Sequence, residues 1–600
     1  MEKLTRLFEI PYYQLDKYPL DVAFCDKRDG EWVPLSTKEY IDQANAVSRG
    51  FLSLGIEAGD KVALISNNRS EWNVCDIAIQ QIGAIGVPVY PTISESDYEY
   101  IFNDAEIKLC IVSSKELFDK VSNIKDKVST LESIYTFEEV GGAKNWLELH
   151  EKPSDEYDSE IDTRKNSIEG DDLVTLIYTS GTTGNPKGVM LTHKNIISNV
   201  MGSKPRIPCT NEDIALSFLP VCHVYERMLL YLYQVIGVSV YFAESIEAVG
   251  DNLKEVKPQV FTAVPRLLEK VYDKIIAKGD ALTGAKRKLF FWAVDIGNKY
   301  EVDGNSAVYN FKLKIARKLI FSKWKEALGG NVKVIACGSA ALQPRLAKIF
   351  TAAGIPVLEG YGLTETSPVL TVNFIGKGNT KFGTTGKALG NVTLKIASDG
   401  EILAKGPNVM VGYFNKPEKT KEEFTEDGWF KTGDIGEIDS DGFLKITDRK
   451  KAMFKTSGGK YIAPQVMENK FKESRFIEQI MVIGEGQKHA SALIVPATDF
   501  IKEWCKRKQI KNCVTDIEIS SNERVIQRIE KEIAHFNESF GKWEQIKKFE
   551  LLDHQWTIQT GELTPTMKPK RKVVKATYKD LIDKIYESDS DSSSGSNEKS

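Results

Sequence analysis

Apolar and polar positions alternate in blocks along this chain, and the blocks predict its elements. Short apolar runs at Val62–Ser66, Gly86–Tyr90 and Leu109–Ser113 read as buried strands, and Glu71–Ile85 reads as a helix between the first two. Asp172–Tyr178 reads as another buried strand. Val189–Leu191 follows as its neighbour, before a helix capped by Thr192. The rhythm resumes at Val332–Cys337 and Ile355–Leu358. Strands alternating with helices imply a largely parallel α/β sheet, which takes its ligands at the carboxyl ends of the strands.

From about Gly383 the texture changes to short strands broken by Gly383–Gly386, Asp399-Gly400, Gly406-Pro407, Asp427-Gly428 and Asp441-Gly442. That pattern predicts a small antiparallel or barrel-like unit. Asp448-Arg449-Lys450-Lys451 reads as a charged linker. Beyond it, Gln479–Gly484, Ser491–Val495 and Phe549–Leu552 read as strands among helices, an α+β domain of about 130 residues. Glu587–Ser600 is Ser/Asp-rich and almost without apolar residues, so no structure is expected there.

A length of 600 residues suggests about three or four domain-sized units. The chain is 42% hydrophobic and 27% charged with a net charge of −4, which gives no global reason to expect nucleic acid. Eight cysteines without a CxxC pair read as reduced thiols of a cytosolic protein, and six histidines show no metal-ligand spacing. No apolar run reaches membrane-spanning length.

The chemistry concentrates first in Thr179-Ser180-Gly181-Thr182-Thr183-Gly184-Asn185-Pro186-Lys187. Hydroxyls and glycines let backbone N–H groups turn toward an anion, and Lys187 adds a point charge, so the stretch suits nucleotide phosphates. A Walker A loop is excluded, because Lys187 is followed by Gly188 and a strand rather than Ser/Thr and a helix. Four clusters accompany it: Val264-Pro265-Arg266; Gly338-Ser339-Ala340, whose small side chains let a flat ring approach; Glu359-Gly360-Tyr361-Gly362-Leu363-Thr364-Glu365; and Asp427–Asp434. Each alone reads as a turn or core segment; their order along one chain carries the signal.

Together these motifs resemble the acyl-adenylate-forming enzymes, over about residues 15–585. They look most like the long-chain fatty acyl-CoA synthetases, through Leu219–Arg227, Val264-Pro265-Arg266, the long segment 267–330 and Leu563–Arg571. The resemblance implies an α/β fold. A large N-terminal AMP-binding domain (1–447) would hold parallel-type sheets and a barrel-like subdomain at about 383–447. A small mobile α+β domain (448–586), hinged near Lys451, and an unstructured tail (587–600) would follow. It implies activation of a fatty acid by ATP to acyl-AMP and pyrophosphate, then transfer to coenzyme A.

The resemblance also implies roles for residues. Thr179–Gly184 and Lys187 would hold phosphates, and Glu365 with Thr182 or Thr364 would hold Mg²⁺. Gly338, Ser339, Ala340, Glu359, Gly360, Tyr361 and Gly362 would surround the nucleotide, with Asp434 on the ribose and Arg449 beside it. Lys568 would be the catalytic lysine of the first step, although Pro569 departs from the aliphatic residue usual there. Lys455, Gly458 and Gly459 would serve the thioester step. His223 would either line the acyl pocket or be structural. Tyr361 would hold the adenine or be a core aromatic.

Two further functions remain open: transfer of the acyl group to a carrier protein or other nucleophile, and a nucleotide-binding regulator without catalysis. Homodimerisation is compatible with the sequence. Phe311–Trp324 mixes Lys/Arg with bulky apolar residues, a basic amphipathic pattern that would either rest on an anionic bilayer or pack on its own domain.

Overall fold

The computed structural model describes residues 4–151, 154–179, 185–564 and 567–594. Its chain forms two compact units rather than three or four. One comprises residues 1–395, 403–432 and 438–445; the other comprises 396–402, 433–437 and 446–600. The larger count failed because two sheets share one core between them.

Those sheets lie in the first unit. Among the described residues, one has nine strands. At its centre Val357–Gly362, Val334–Cys337, Val260–Ala263, Ile214–Ser217, Ser239–Phe242 and Phe24–Arg28 run parallel, with antiparallel strands at both ends. The other has eight, with Leu173–Thr179, Ile85–Val89, Lys61–Ile65 and Ile107–Val112 parallel at its centre. Two helices are buried nearly all round in the shared core: Ser70–Gln81, with all its residues buried, and Val224–Ile236, with only Tyr225 half-exposed. A helix buried on every side belongs between two layers, and the polar side chains these two carry must find partners there. Separate apolar clusters cover the outer faces of both sheets.

The sequence reading ran the first helix on to Ile85. It ends at Gln81, because Gly83 at φ +77° takes the left-handed turn and Ala84 N–H bonds back to the Ile79 carbonyl. The apolar residues that follow belong to the next strand. The turn-rich stretch from Gly383 yields a four-stranded sheet of Thr393–Ile396, Glu401–Lys405, Phe430–Ile438 and Leu444–Arg449.

In the second unit, Ile477–Ile483 pairs antiparallel with Ser491–Pro496, which pairs parallel with Lys548–Leu551. Successive residues point to opposite faces, so Ile480 and Val482 enter one core and Met481 and Ile483 the other. The last helix, Lys579–Ser594, continues past Glu587, where the sequence placed the start of the tail.

Candidate active site

In the first unit two strands precede and follow the phosphate-loop candidate in the sequence. Leu173–Thr179 delivers Thr179 and Lys187–Thr192 begins with Lys187, the two residues standing opposite each other in antiparallel register. Ser180, Gly181, Thr182, Thr183 and Gly184 lie outside the described residues. Thr192 caps the following helix by accepting from Asn195 N–H at 3.1 Å, while the Asn195 side chain accepts from Thr192 N–H.

Lys187 and Glu365 meet on one tyrosine. The Lys187 ammonium lies 4.2 Å from the Tyr413 ring centroid, and the Tyr413 hydroxyl donates to Glu365 Oε1 at 2.9 Å. Burial and the Glu365 carboxylate raise the Tyr413 hydroxyl, so it stays a donor. Tyr413 sits on the short strand Gly412–Tyr413, paired antiparallel with the strand of Lys187, and Met410 N–H holds the Glu365 carbonyl. Glu423 Oε1 is 4.0 Å from Lys187 Nζ.

Glu365 occupies the short helical turn Thr364–Thr366, between the antiparallel strands Val357–Gly362 and Val369–Val372. The strand expected to end at Leu358 therefore runs on through the glycine motif to Gly362. Gly362 has no substitute: a Cβ there would stand 1.8 Å from the Pro368 carbonyl oxygen. Cys337 and Glu359 are in register on adjacent parallel strands, so Gly338 and Gly360 each follow directly on a paired residue, and Tyr361 is half-buried. A Cβ on Gly338 would crowd the Tyr225 ring at 3.3 Å. Glu359 is buried and accepts from Leu342 N–H at 3.0 Å, and burial pushes its carboxyl up to about 8. Its visible task is to fix the turn after Gly338.

His223 caps the helix Val224–Ile236, its Nδ1 accepting from Tyr225 N–H at 3.1 Å. Sequence reasoning missed its buried neighbours. Glu226 accepts from Ser217 Oγ at 2.6 Å and Thr262 Oγ1 at 2.5 Å, near the carboxyl ends of two strands, and burial raises it to about 7. Arg227 pairs with Asp76 at 2.5 Å and donates to Thr175 at 2.8 Å on the strand that leads into the phosphate loop. The Leu219–Arg227 motif contained both residues, but no spacing shows that their partners lie on other elements.

Breaking that buried pair leaves an uncompensated charge. Asp76→Ala should destabilise the first unit by about 3–5 kcal/mol. An unchanged melting temperature would refute the energetic role assigned to the pair.

In the second unit, Asp434 is buried on Phe430–Ile438, and Arg449 Nε donates to its Oδ1 at 3.1 Å from the end of Leu444–Arg449. Lys568 is tied to Thr564 by two hydrogen bonds, Thr564 N–H to the Lys568 carbonyl at 2.8 Å and Lys568 N–H to Thr564 Oγ1 at 3.0 Å. Desolvation and the Arg449 charge, opposed by Asp434, lower Lys568 to about 8. Lys568, Arg449 and Asp434 therefore share one electrostatic environment.

Lys455 lies apart on the hairpin Phe454–Lys455 and Tyr461–Ile462, exposed, with its ammonium 4.6 Å from the Tyr461 ring centroid. Gly458 and Gly459 form the exposed turn; Gly459 at φ +75° needs the freedom of glycine. The linker is not uniformly exposed. Asp448 is buried, accepts from Gln465 N–H at 3.2 Å and is raised by burial to about 6. Lys450 pairs with Asp399 and Glu401, each at 2.7 Å, while Lys451 is exposed.

Among the described residues no helix is long and apolar enough to cross a membrane, and no group of three or more His, Cys, Asp or Glu could hold a metal ion alone. A lone carboxylate such as Glu365 does fit Mg²⁺, which keeps waters and takes its other ligands from substrate phosphates.

Residues 12–414 match the AMP-binding enzyme family and residues 452–590 match the AMP-binding enzyme C-terminal domain. Long-chain-fatty-acid–CoA ligase FadD15 of Mycobacterium bovis is 34% identical over 565 residues, 93% of each chain. Long-chain-fatty-acid–CoA ligase 1 of Cavia porcellus is 31% identical over 93% of this chain and 82% of its own. The fold is similar to that of the adenylation domain of a Mycobacterium chelonae carboxylate reductase, with a TM-score of 0.76 at 20% identity, covering 98% of this chain and 92% of that one. The chain therefore belongs to the acyl-adenylate-forming AMP-binding enzymes, and within them is most like the long-chain fatty acyl-CoA synthetases.

Proposed function

We propose that the protein is an AMP-forming ligase that activates a long-chain fatty acid and joins it to coenzyme A. The fatty carboxylate attacks the α-phosphorus of ATP, expelling pyrophosphate and leaving acyl-AMP; the thiol of coenzyme A then attacks the acyl carbon and expels AMP. The observation that carries this reading is the meeting of Lys187 and Glu365 on Tyr413, with Lys187 standing opposite Thr179.

The first step brings an anion to a polyanion. Two unit charges at 4 Å repel by about 4 kcal/mol at an effective dielectric near 20, so cations must be supplied. Lys187 would hold the β- and γ-phosphates. Glu365, with Thr182 or Thr364, would hold Mg²⁺, which when bound neutralises phosphate charge. Gly338, Ser339, Ala340, Gly360 and Tyr361 would flank the adenine, Asp434 would accept from the ribose hydroxyls with Arg449 beside it, and His223 would border the acyl chain.

Lys568 would donate to the carboxylate and α-phosphate as negative charge shifts between them. For the thioester step, Gly458 and Gly459 would let the pantetheine arm run along the backbone near Lys455. A hinge at Lys451 would allow one small domain to serve both steps in turn.

Fatty-acid-dependent exchange of labelled pyrophosphate into ATP, across a chain-length series with and without coenzyme A, tests the proposal. Exchange without coenzyme A, and thioester only with it, is the expected result. Exchange with no thioester would favour transfer to a carrier protein; no exchange with any fatty acid would sink the reading.

The pH dependence follows from Lys568, which must be protonated to neutralise charge. With its free-enzyme value at about 8, kcat/KM for adenylation should fall as pH rises through that region. Lys568→Arg should move the fall upward, because guanidinium keeps its proton. A fall at the same pH in both proteins would assign the titration elsewhere.

A further inference from the structure

The segment Ala307–Ala327 has two apolar faces, and only one is used by the fold. It runs as the helix Ala307–Ala316, a π-helical turn Arg317–Phe321 and the helix Ser322–Ala327. Leu313, Ala316, Phe321 and Trp324 are buried in the core of the first unit. Their spacing of three, five and three follows the wide turn, which brings Phe321 and Trp324 back to the side of Leu313.

The opposite side carries Val308 and Phe311, each 65% exposed, then half-buried Ile315 and Leu319 at 44%. Spacings of three, four and four put these four on one stripe. Isolated exposed apolar residues need no explanation, but a stripe of four on one helix does.

The charge around the stripe is of one sign. From Ser306 to Lys325 the sequence holds Lys312, Lys314, Arg317, Lys318, Lys323 and Lys325 and no acidic residue. Lys312, Lys314, Lys318 and Lys323 are exposed, and none of these four has an ion-pair partner among the described residues. Arg317 is used at home, its Nε donating to the Ala352 carbonyl at 2.7 Å. The adjoining helix Gly284–Asn298 opens with Lys286, Arg287, Lys288 and Leu289, all exposed, though Arg287 pairs with Asp280.

We propose that this stripe is a docking surface for an anionic lipid bilayer. Val308, Phe311, Ile315 and Leu319 would enter the headgroup boundary while the flanking lysines meet lipid phosphates. An apolar stripe with a cationic border is the complement of that interface. A second copy of the chain would set the same cations against each other, and that repulsion disfavours a symmetric dimer through this face.

The test is sedimentation of the full chain with vesicles of phosphatidylcholine alone or mixed with phosphatidylglycerol. Binding to the anionic vesicles, weakened by salt, is expected. Lys312→Glu/Lys318→Glu/Lys323→Glu should lower it by on the order of a hundredfold or more. Phe311→Ser/Leu319→Ser should lower it at low salt also. In the otherwise unaltered protein, Phe311→Trp should add an emission that shifts to the blue with anionic vesicles, so the surface remains testable if a multiple variant misfolds.

Equal binding to neutral vesicles, binding that survives both multiple variants in folded form, or a Phe311→Trp protein whose emission does not shift would overturn the proposal. A dimer in light scattering that the Phe311→Ser/Leu319→Ser protein loses would reassign the surface to a second copy. None of these readouts depends on the ligase reaction.

Discussion

Lys568→Ala is expected to lower adenylate formation by on the order of a thousandfold or more, while thioester formation from preformed acyl-AMP stays near the wild-type rate. A charge-assisted donor that acts as charge develops contributes several kcal/mol to a transition state. The lowered value near 8 makes Lys568 a group already partly desolvated, so little reorganisation is needed when substrate arrives. Its alanine variant should lose kcat and kcat/KM together, the mark of an interaction made in the transition state. Lys455→Ala should do the reverse, slowing single-turnover thioesterification and sparing adenylation. Equal loss in both half-reactions for either variant would overturn the proposed division of labour between Lys568 and the Phe454–Ile462 hairpin.

Glu365→Ala should cost the adenylation step on the order of a hundredfold to a thousandfold and raise the Mg²⁺ concentration needed for pyrophosphate exchange. Tyr413→Phe separates the contributions of its ring and its hydroxyl. It keeps the ring over which the Lys187 ammonium lies but loses the donor to Glu365. If Glu365 holds Mg²⁺ as proposed, Tyr413 orients it and a loss of roughly tenfold is expected, with the shifted Mg²⁺ requirement as its signature. If Glu365→Ala titrates with Mg²⁺ like the wild type, Glu365 does not hold the ion. Tyr413→Phe would then be a packing change only.

Most elements of the fold were legible as hydrophobic periodicity. The strands around Val62, Val87 and Leu109 lie within a residue or two of their expected ends, because a buried parallel strand is a continuous apolar run bounded by turns. The Thr192 cap was legible for the same local reason. What failed were the limits and the neighbours. The helix that stops at Gln81 and the strand that carries Glu359–Gly362 are bounded by backbone turns and pairing that residue type only partly encodes.

The sequence by itself determined the order of motifs, the strand and helix rhythm and the residue types able to hold phosphate, because these follow from local propensity and from chemistry each side chain carries alone. Only the tertiary structure decided that Tyr413 joins Lys187 to Glu365, that Arg227 faces Asp76 across 151 positions, and that Asp448 is buried rather than a solvent-exposed linker charge. Burial and partnership of a charged or phenolic group depend on which distant element packs against it, and no local pattern along the chain records that choice.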